Sequence, residues 1–242
     1  MSGALAVAIV ALAGTGATLA QEDLVTDRPD QTESAVTVAP GKYHIETGVL
    51  HTQDDAGGRS FEVTEALGTL VRIGLRERLE LRIGFDGYVW TPGADGIGDG
   101  SVGAKILLAE ETDSAPRVAV LVESSVPIGD DQLTSDDYAP AFRLALSKDF
   151  LDSLGVGLNV GAEFPEDQEI LLYTLALGVG LDDKNGVFFE VFGDDQSSHS
   201  FDTGWTRLVR PNLQLDVAGG VGISDEAPDW FVGAGLSVRF PD

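Results

Sequence analysis

Residues 78–90 read RLELRIGFDGYVW, and their alternation decides the fold. Leu79, Leu81, Ile83, Phe85 and Val89 fall on one side of an extended chain, and Glu80, Arg82, Asp86 and Tyr88 on the other. A period of two with one apolar and one polar face is the signature of a β-strand with different surroundings on its two sides. Strands of a parallel sheet, covered on both faces, would be apolar throughout, so a doubly wound fold is disfavoured.

The same pattern recurs along the chain. Val118, Val120, Val122 and Val126 oppose Arg117, Leu121, Glu123 and Ser125. Val156, Leu158, Val160 and Phe164 oppose Gly155, Gly157, Asn159 and Glu163. At the end, Trp230, Val232, Ala234, Leu236, Val238 and Phe240 oppose Gly233, Gly235, Ser237 and Arg239. No long segment shows helical spacing behind a capping pattern. Twelve strands are predicted, at 41–53, 60–75, 78–90, 99–110, 117–127, 140–149, 154–164, 169–181, 186–193, 200–209, 212–223 and 229–240. The connectors at 75–78, 111–116, 149–153, 182–186 and 210–212 are short. Several of the alternate set, notably 91–98 and 127–139, are longer and rich in Asp, Gly and Ser. Short turns at one end and longer loops at the other, with an even strand number, describe an outer-membrane barrel whose termini both face the periplasm.

The N-terminus supports export from a Gram-negative cell. Residues 2–20 carry no charge, and the apolar run 4–13 has the length of a signal-peptide core, too short to span a bilayer as a helix. Thr18, Leu19 and Ala20 offer a cleavage site before Gln21. The expected organisation is a signal peptide at 1–20, an N-terminal periplasmic extension or plug segment at 21–40, and one closed antiparallel transmembrane barrel at 41–242.

Composition removes several functions. The chain has no cysteine, which excludes disulfides, thiolate metal sites and a cysteine nucleophile. Forty acidic and fifteen basic residues give a net charge of −25, which opposes nucleic-acid binding and permits attraction of cations.

Candidate chemistry is sparse. Ser198, His199 and Ser200 could belong to a lipid-cleaving barrel, but no GxSxG elbow accompanies them and a polar loop explains them as well. The pairs Asp54-Asp55, Asp130-Asp131, Asp136-Asp137, Asp182-Asp183 and Asp194-Asp195 lack EF-hand spacing and read as solvated turns. The glycine-rich stretch 93–100 has no phosphate-binding lysine after it. No catalytic residue, metal ligand or cofactor is expected. The polar face is the candidate functional surface. By parity it comprises His44, Glu46, Arg72, Glu80, Arg82, Asp86, Lys105, Glu123, Arg143, Glu163, Glu190, Asp216 and Arg239 as lumen-lining residues. Mixed charges there either line a polar channel or pair and fill it. Tyr43, Tyr88, Trp90, Tyr138, Tyr173, Phe201, Trp205, Trp230 and Phe240 fall mainly near strand ends, as interfacial aromatic girdles do.

Three segments carry a resemblance. Thr26-Asp27-Arg28-Pro29-Asp30 with Thr32-Glu33-Ser34 and 38–43, the stretch 70–84, and Pro211 to Asp216 with 227–235 are similar to outer-membrane proteins of the phenol-degradation meta-pathway family. The resemblance implies an outer-membrane barrel and a porin-like transport role for small solutes, aromatic or otherwise hydrophobic compounds among them. It supplies no catalytic residues. The expected partners are outer-membrane lipid and lipopolysaccharide, the barrel-assembly machinery, which reads a terminal aromatic such as Phe240, and an unidentified small solute. Two alternatives stand beside the channel: a non-transporting structural or surface barrel with a charge-filled lumen, and a barrel enzyme acting on lipids.

Overall fold

The computed structural model describes residues 24–55, 60–166 and 168–241; the predicted signal peptide and its cleavage site lie outside them. Within the described residues fourteen strands form one antiparallel sheet. They are β1 (Tyr43–Asp54), β2 (Phe61–Arg76), β3 (Leu79–Phe85), β4 (Tyr88–Trp90), β5 (Asp95–Ile97), β6 (Gly100–Ala109) and β7 (Arg117–Val126), followed by β8 (Pro140–Leu151), β9 (Leu154–Glu163), β10 (Ile170–Gly180), β11 (Asn185–Asp194), β12 (His199–Arg210), β13 (Leu213–Gly222) and β14 (Trp230–Phe240). Each strand pairs with its sequence neighbour, apart from the β3/β4 and β5/β6 interruptions, and β1 pairs with both β2 and β14, which closes the sheet into a barrel. Closure gives every described strand except the short β5, which pairs only with β4, a partner on both sides, the condition for crossing lipid with strands.

Fourteen labels make twelve staves, as the alternation predicts. β3 and β4 are one stave interrupted at Asp86-Gly87, and β5 and β6 one stave interrupted at Gly98-Asp99. The interruptions lie side by side. Asp86 N donates to the Asp99 carbonyl and Gly98 N to the Gly87 carbonyl, both at 2.9 Å. Gly87 sits at φ +85°, a conformation its missing Cβ makes inexpensive. On the other side of the break Leu67, at φ +63°, is the extra residue of a bulge: Gly48 faces Gly68, and Val49 already faces Ala66.

This kink corrects two expectations. Parity places Tyr88 with Asp86 and Val89 with Phe85. The structure turns Tyr88 and Trp90 outward, their rings 4.7 Å apart, and leaves Val89 on the inner side beside Asp86. One residue out of phase swaps the faces for everything beyond it. The stretch 91–98, expected to be loop, contains β5.

The outer face is apolar and exposed, with Ile83, Val102, Val122, Val160, Leu175, Phe189 and Leu215 among its members. No helix of the described residues is long and apolar enough to cross a membrane. Aromatic pairs mark the two rims: Tyr43 stacks on Phe240 at the end holding the termini, and Trp230 meets His51 at the other. The interior inverts the usual core. Among the described residues its largest fully buried side chains include Arg72, Arg82, Lys105, Glu46 and Glu80, and a small apolar cluster joins Ala35, Ala119, Leu121 and Ala145.

Candidate functional site: the occupied lumen

Ala35 belongs to the segment 24–40, which runs through the barrel interior. It has no regular secondary structure, so its backbone polar groups need partners elsewhere. The wall side chains supply them. Asp27 N donates to Glu46 (3.0 Å), Gln31 N to Glu190 (2.7 Å), Glu33 N to Asn159 Oδ1 (2.8 Å) and Val38 N to Glu80 (2.8 Å). In the other direction Arg72 donates to the carbonyls of Val25 and Val36, and Asn159 Nδ2 to that of Glu33. These partners sit on β1, β2, β3, β9 and β11, so the segment touches opposite sides of the barrel.

Its anchor is an ion cluster. Arg72 and Arg82 face each other directly across the β2–β3 ladder, a repulsive pair on its own. Glu80 bridges them from the wall, at 2.9 Å from Arg72 and 3.2 Å from Arg82. Asp27 of the segment completes the arrangement, with one carboxylate oxygen 3.2 Å from Arg72, 2.6 Å from Arg82 and 2.8 Å from Lys105. Burial pushes the Asp27 carboxyl up, but Arg72, Lys105 and Arg82 more than offset it and hold it well below the usual carboxylate range. Glu33 adds a 2.7 Å bond to Arg82, and Glu46 a 3.0 Å bond to Arg72. Further on, Arg28 reaches Asp216 at 3.1 Å, and Thr32 meets Thr174 at 2.7 Å and Glu190 through a short hydrogen bond. Arg28 passes so close over Gly48 and Gly235 that a Cβ on either would lie within 2.6 Å of its guanidinium.

Of the thirteen residues selected by parity, His44, Glu46, Arg72, Glu80, Arg82, Lys105, Glu190, Asp216 and Arg239 are buried. Glu123 reaches Arg82 at 3.5 Å, and Arg143 bonds Glu163 at 2.7 Å, both partly exposed. Asp86 sits in the kink and is exposed. Parity brings the wall residues together but says nothing of Asp27, Arg28, Thr32 and Glu33, because an irregular segment has no period to read. Asn159, on the polar parity of its strand, and Asp202 are buried as well.

Other candidates have local partners. The His199 ring lies 3.4 Å from the Tyr173 hydroxyl rather than against a serine side chain. Asp182 accepts the amides of Lys184 and Asn185, and Asp194 those of Gln196 and Ser198, as turn-capping carboxylates do. Among the described residues no three His, Asp or Glu side chains converge to hold a metal ion.

Fold and interior together define a closed outer-membrane-type β-barrel with an N-terminal segment packed inside it. The chain belongs to the family described as "Putative MetA-pathway of phenol degradation", which it matches over residues 26–240. Among solved structures it is similar to an outer membrane channel from Pseudomonas putida F1, at 16% identity and a TM-score of 0.65, covering 85% of this chain and 98% of that one. It also resembles the KdgM porin (12% identity, TM-score 0.58, 81% and 98% covered) and the NanC porin (8%, 0.56, 81% and 98%). No curated protein matches the sequence.

Proposed function

We propose that this protein is an exported outer-membrane channel for small solutes, restricted by its own N-terminal segment and preferring cations. Small aromatic or other small hydrophobic compounds are the proposed cargo, in keeping with the family description. The observation that carries the reading is how the segment is held: largely by ion pairs and hydrogen bonds to a polar wall, beside the buried Leu24, Ala35 and Val38. Such contacts are specific, yet water can replace them, so the segment is able to withdraw. The channel and porin relatives agree with this role, and no enzymatic activity is proposed.

Cation preference follows from the distribution of charge. The loop end carries Asp55, Asp95, Asp130, Asp131, Asp136, Asp137, Asp195, Asp225, Glu226 and Asp229. The turns at the opposite end intersperse Arg76, Arg78, Lys148, Lys184 and Arg210 among their acids. An acidic mouth raises the local concentration of cations, an effect salt screens within about 8 Å at physiological ionic strength. In this reading residues 1–20 are removed near Ala20, lipopolysaccharide surrounds the acidic end, and the termini lie in the periplasm.

One observation favours the alternative of a filled, non-transporting barrel: the largest buried side chains are charges already paired with one another. Planar-bilayer recording separates the two. The channel reading predicts discrete conductance steps and, in a potassium chloride gradient, a reversal potential on the cation side. A silent bilayer supports the filled barrel, and anion selectivity contradicts the charge argument.

A further inference from the structure

Within the lodged segment, residues 27–34 form a loop tied at its neck. Ser34 donates to Asp27 Oδ1 from N at 3.0 Å and from Oγ at 2.8 Å, which joins two residues seven apart in sequence. Arg82 holds both sides of this neck, bonding Asp27 at 2.6 Å and Glu33 at 2.7 Å. The neck therefore rests on β2, β3 and β6, against Arg72, Arg82 and Lys105. The tip, residues 28–32, crosses the lumen to the far wall and is held there more lightly. Arg28 makes one ion pair, 3.1 Å to Asp216, with its side chain 28% exposed, and Gln31 N and the Thr32 hydroxyl bond Glu190. A partly exposed pair holds less firmly than a buried cluster whose members all depend on one another.

The tip stands between two walls bare of side chains. On one side Gly48 of β1 faces Gly235 of β14, and the Arg28 guanidinium fills the space over both. On the other, a hollow of about 580 Å³ lies between Arg28, Pro29 and Asp30 and the strands β9, β10 and β11. Gly155, Gly178 and Phe188 form one rung of that wall. An ideal Cβ on Gly178 would meet no atom nearer than 3.9 Å, so the wall faces open space. Asp149 holds its carboxylate over Gly155 and borders the hollow together with Asp152. Each wall thus offers Arg28 a glycine floor and a carboxylate. Arg28 occupies the first position, against Asp216, and the second stands open.

We propose that Arg28 is the gate of the channel. It leaves Asp216 and the Gly48–Gly235 floor, and the tip swings into the hollow toward Asp149 while the neck stays on the ion cluster. The passage that opens runs along β1, β13 and β14, over the glycines Arg28 had covered. Two discrete packed positions of one element are what a switch requires. The inference rests on the channel reading and narrows it: the tip moves, and the rest of the segment remains in place.

Single-channel recording and cross-linking of the full chain test it. Arg28→Ala should raise the mean conductance and remove the closing transitions. Gly178→Leu places a side chain in the hollow, bars the second position and should lower the open fraction about ten-fold. In the Arg28→Ala background the same Leu should change nothing, because the two substitutions act on one movement. Heat-modifiable gel migration establishes that each variant is a closed barrel. A Leu that lowers conductance in both backgrounds makes the hollow the pathway itself and overturns the gate. A Leu that leaves wild-type opening unchanged overturns it too, since a segment that withdraws whole has no use for the hollow. Asp30→Cys with Gly178→Cys gives a readout that needs no conduction. A disulfide brings two Cβ atoms to about 4 Å, and no atom of the tip lies within 4 Å of a Cβ at Gly178, so the link forms only as the tip crosses the hollow. Mildly oxidised, membrane-assembled protein is expected to yield the linked peptide pair. No link with intact conductance overturns the gate alone, and a link with a silent bilayer overturns the channel alone.

Discussion

Asp27 is the residue on which the interior turns. Three cations that would otherwise repel converge on its carboxylate. Removing one partner of a buried ion pair costs about 3–5 kcal/mol, most of it the penalty of leaving the remaining charge unmatched. Asp27→Ala is therefore expected to lower the urea midpoint for loss of the folded gel form, and to raise single-channel conductance as the segment loosens. An unchanged midpoint and conductance would show that the cluster does not hold the segment. The cations of this cluster were legible in the sequence: Arg72, Arg82 and Lys105 fall on the polar parity of their strands. Their partner was not, because Asp27 lies 45 residues from Arg72 in sequence (72 − 27) and on a stretch without periodicity.

Elements were readable as far as their alternation held. All twelve staves follow from it, and it fails at the Asp86-Gly87 kink, where a residue out of phase reverses the sides taken by Tyr88 and Val89. The sequence signals of that break, Asp-Gly at 86–87 and Gly-Asp at 98–99, are the same as those of a loop. Above the kink the loop 127–139 is tied down by Asp99, which accepts Gly129 N at 3.0 Å and Ser135 N and Oγ at 2.9 Å. Burial raises the Asp99 carboxyl, but the Ser135 and Gly129 hydrogen bonds outweigh it, so its pKa lies below the ordinary aspartate value. A lowered folded-state pKa stabilises above the unfolded value of about 3.9, and that contribution is lost as pH falls through the lower folded value. Hydrogen exchange at Gly129 and Ser135 should thus remain protected at neutral pH and lose protection below about pH 4. In Asp99→Asn the two amides should exchange faster at neutral pH and show no such acid transition. Acid loss of protection in both proteins alike would place the titrating group elsewhere.

At the scale of the molecule the account joins a lipid-facing apolar surface, a charged interior and a segment lodged within it. Alternation alone left open whether the apolar face pointed in or out; the closed sheet with buried arginines on one side and exposed valines on the other settles it. Whether 21–40 lay outside the barrel or within it was equally open to the sequence, and the described part, from residue 24, packs inside. Lodging of the segment is the central claim, and the absence of native cysteine makes it directly measurable. The hydroxyls of Thr32 and Thr174 lie 2.7 Å apart, one on the segment and one on β10. Thr32→Cys with Thr174→Cys should form a disulfide in the membrane-assembled protein, seen by mass spectrometry as a linked peptide pair. Conductance should be lower oxidised than reduced. Two free, readily alkylated thiols, with conductance indifferent to oxidant, would contradict the account.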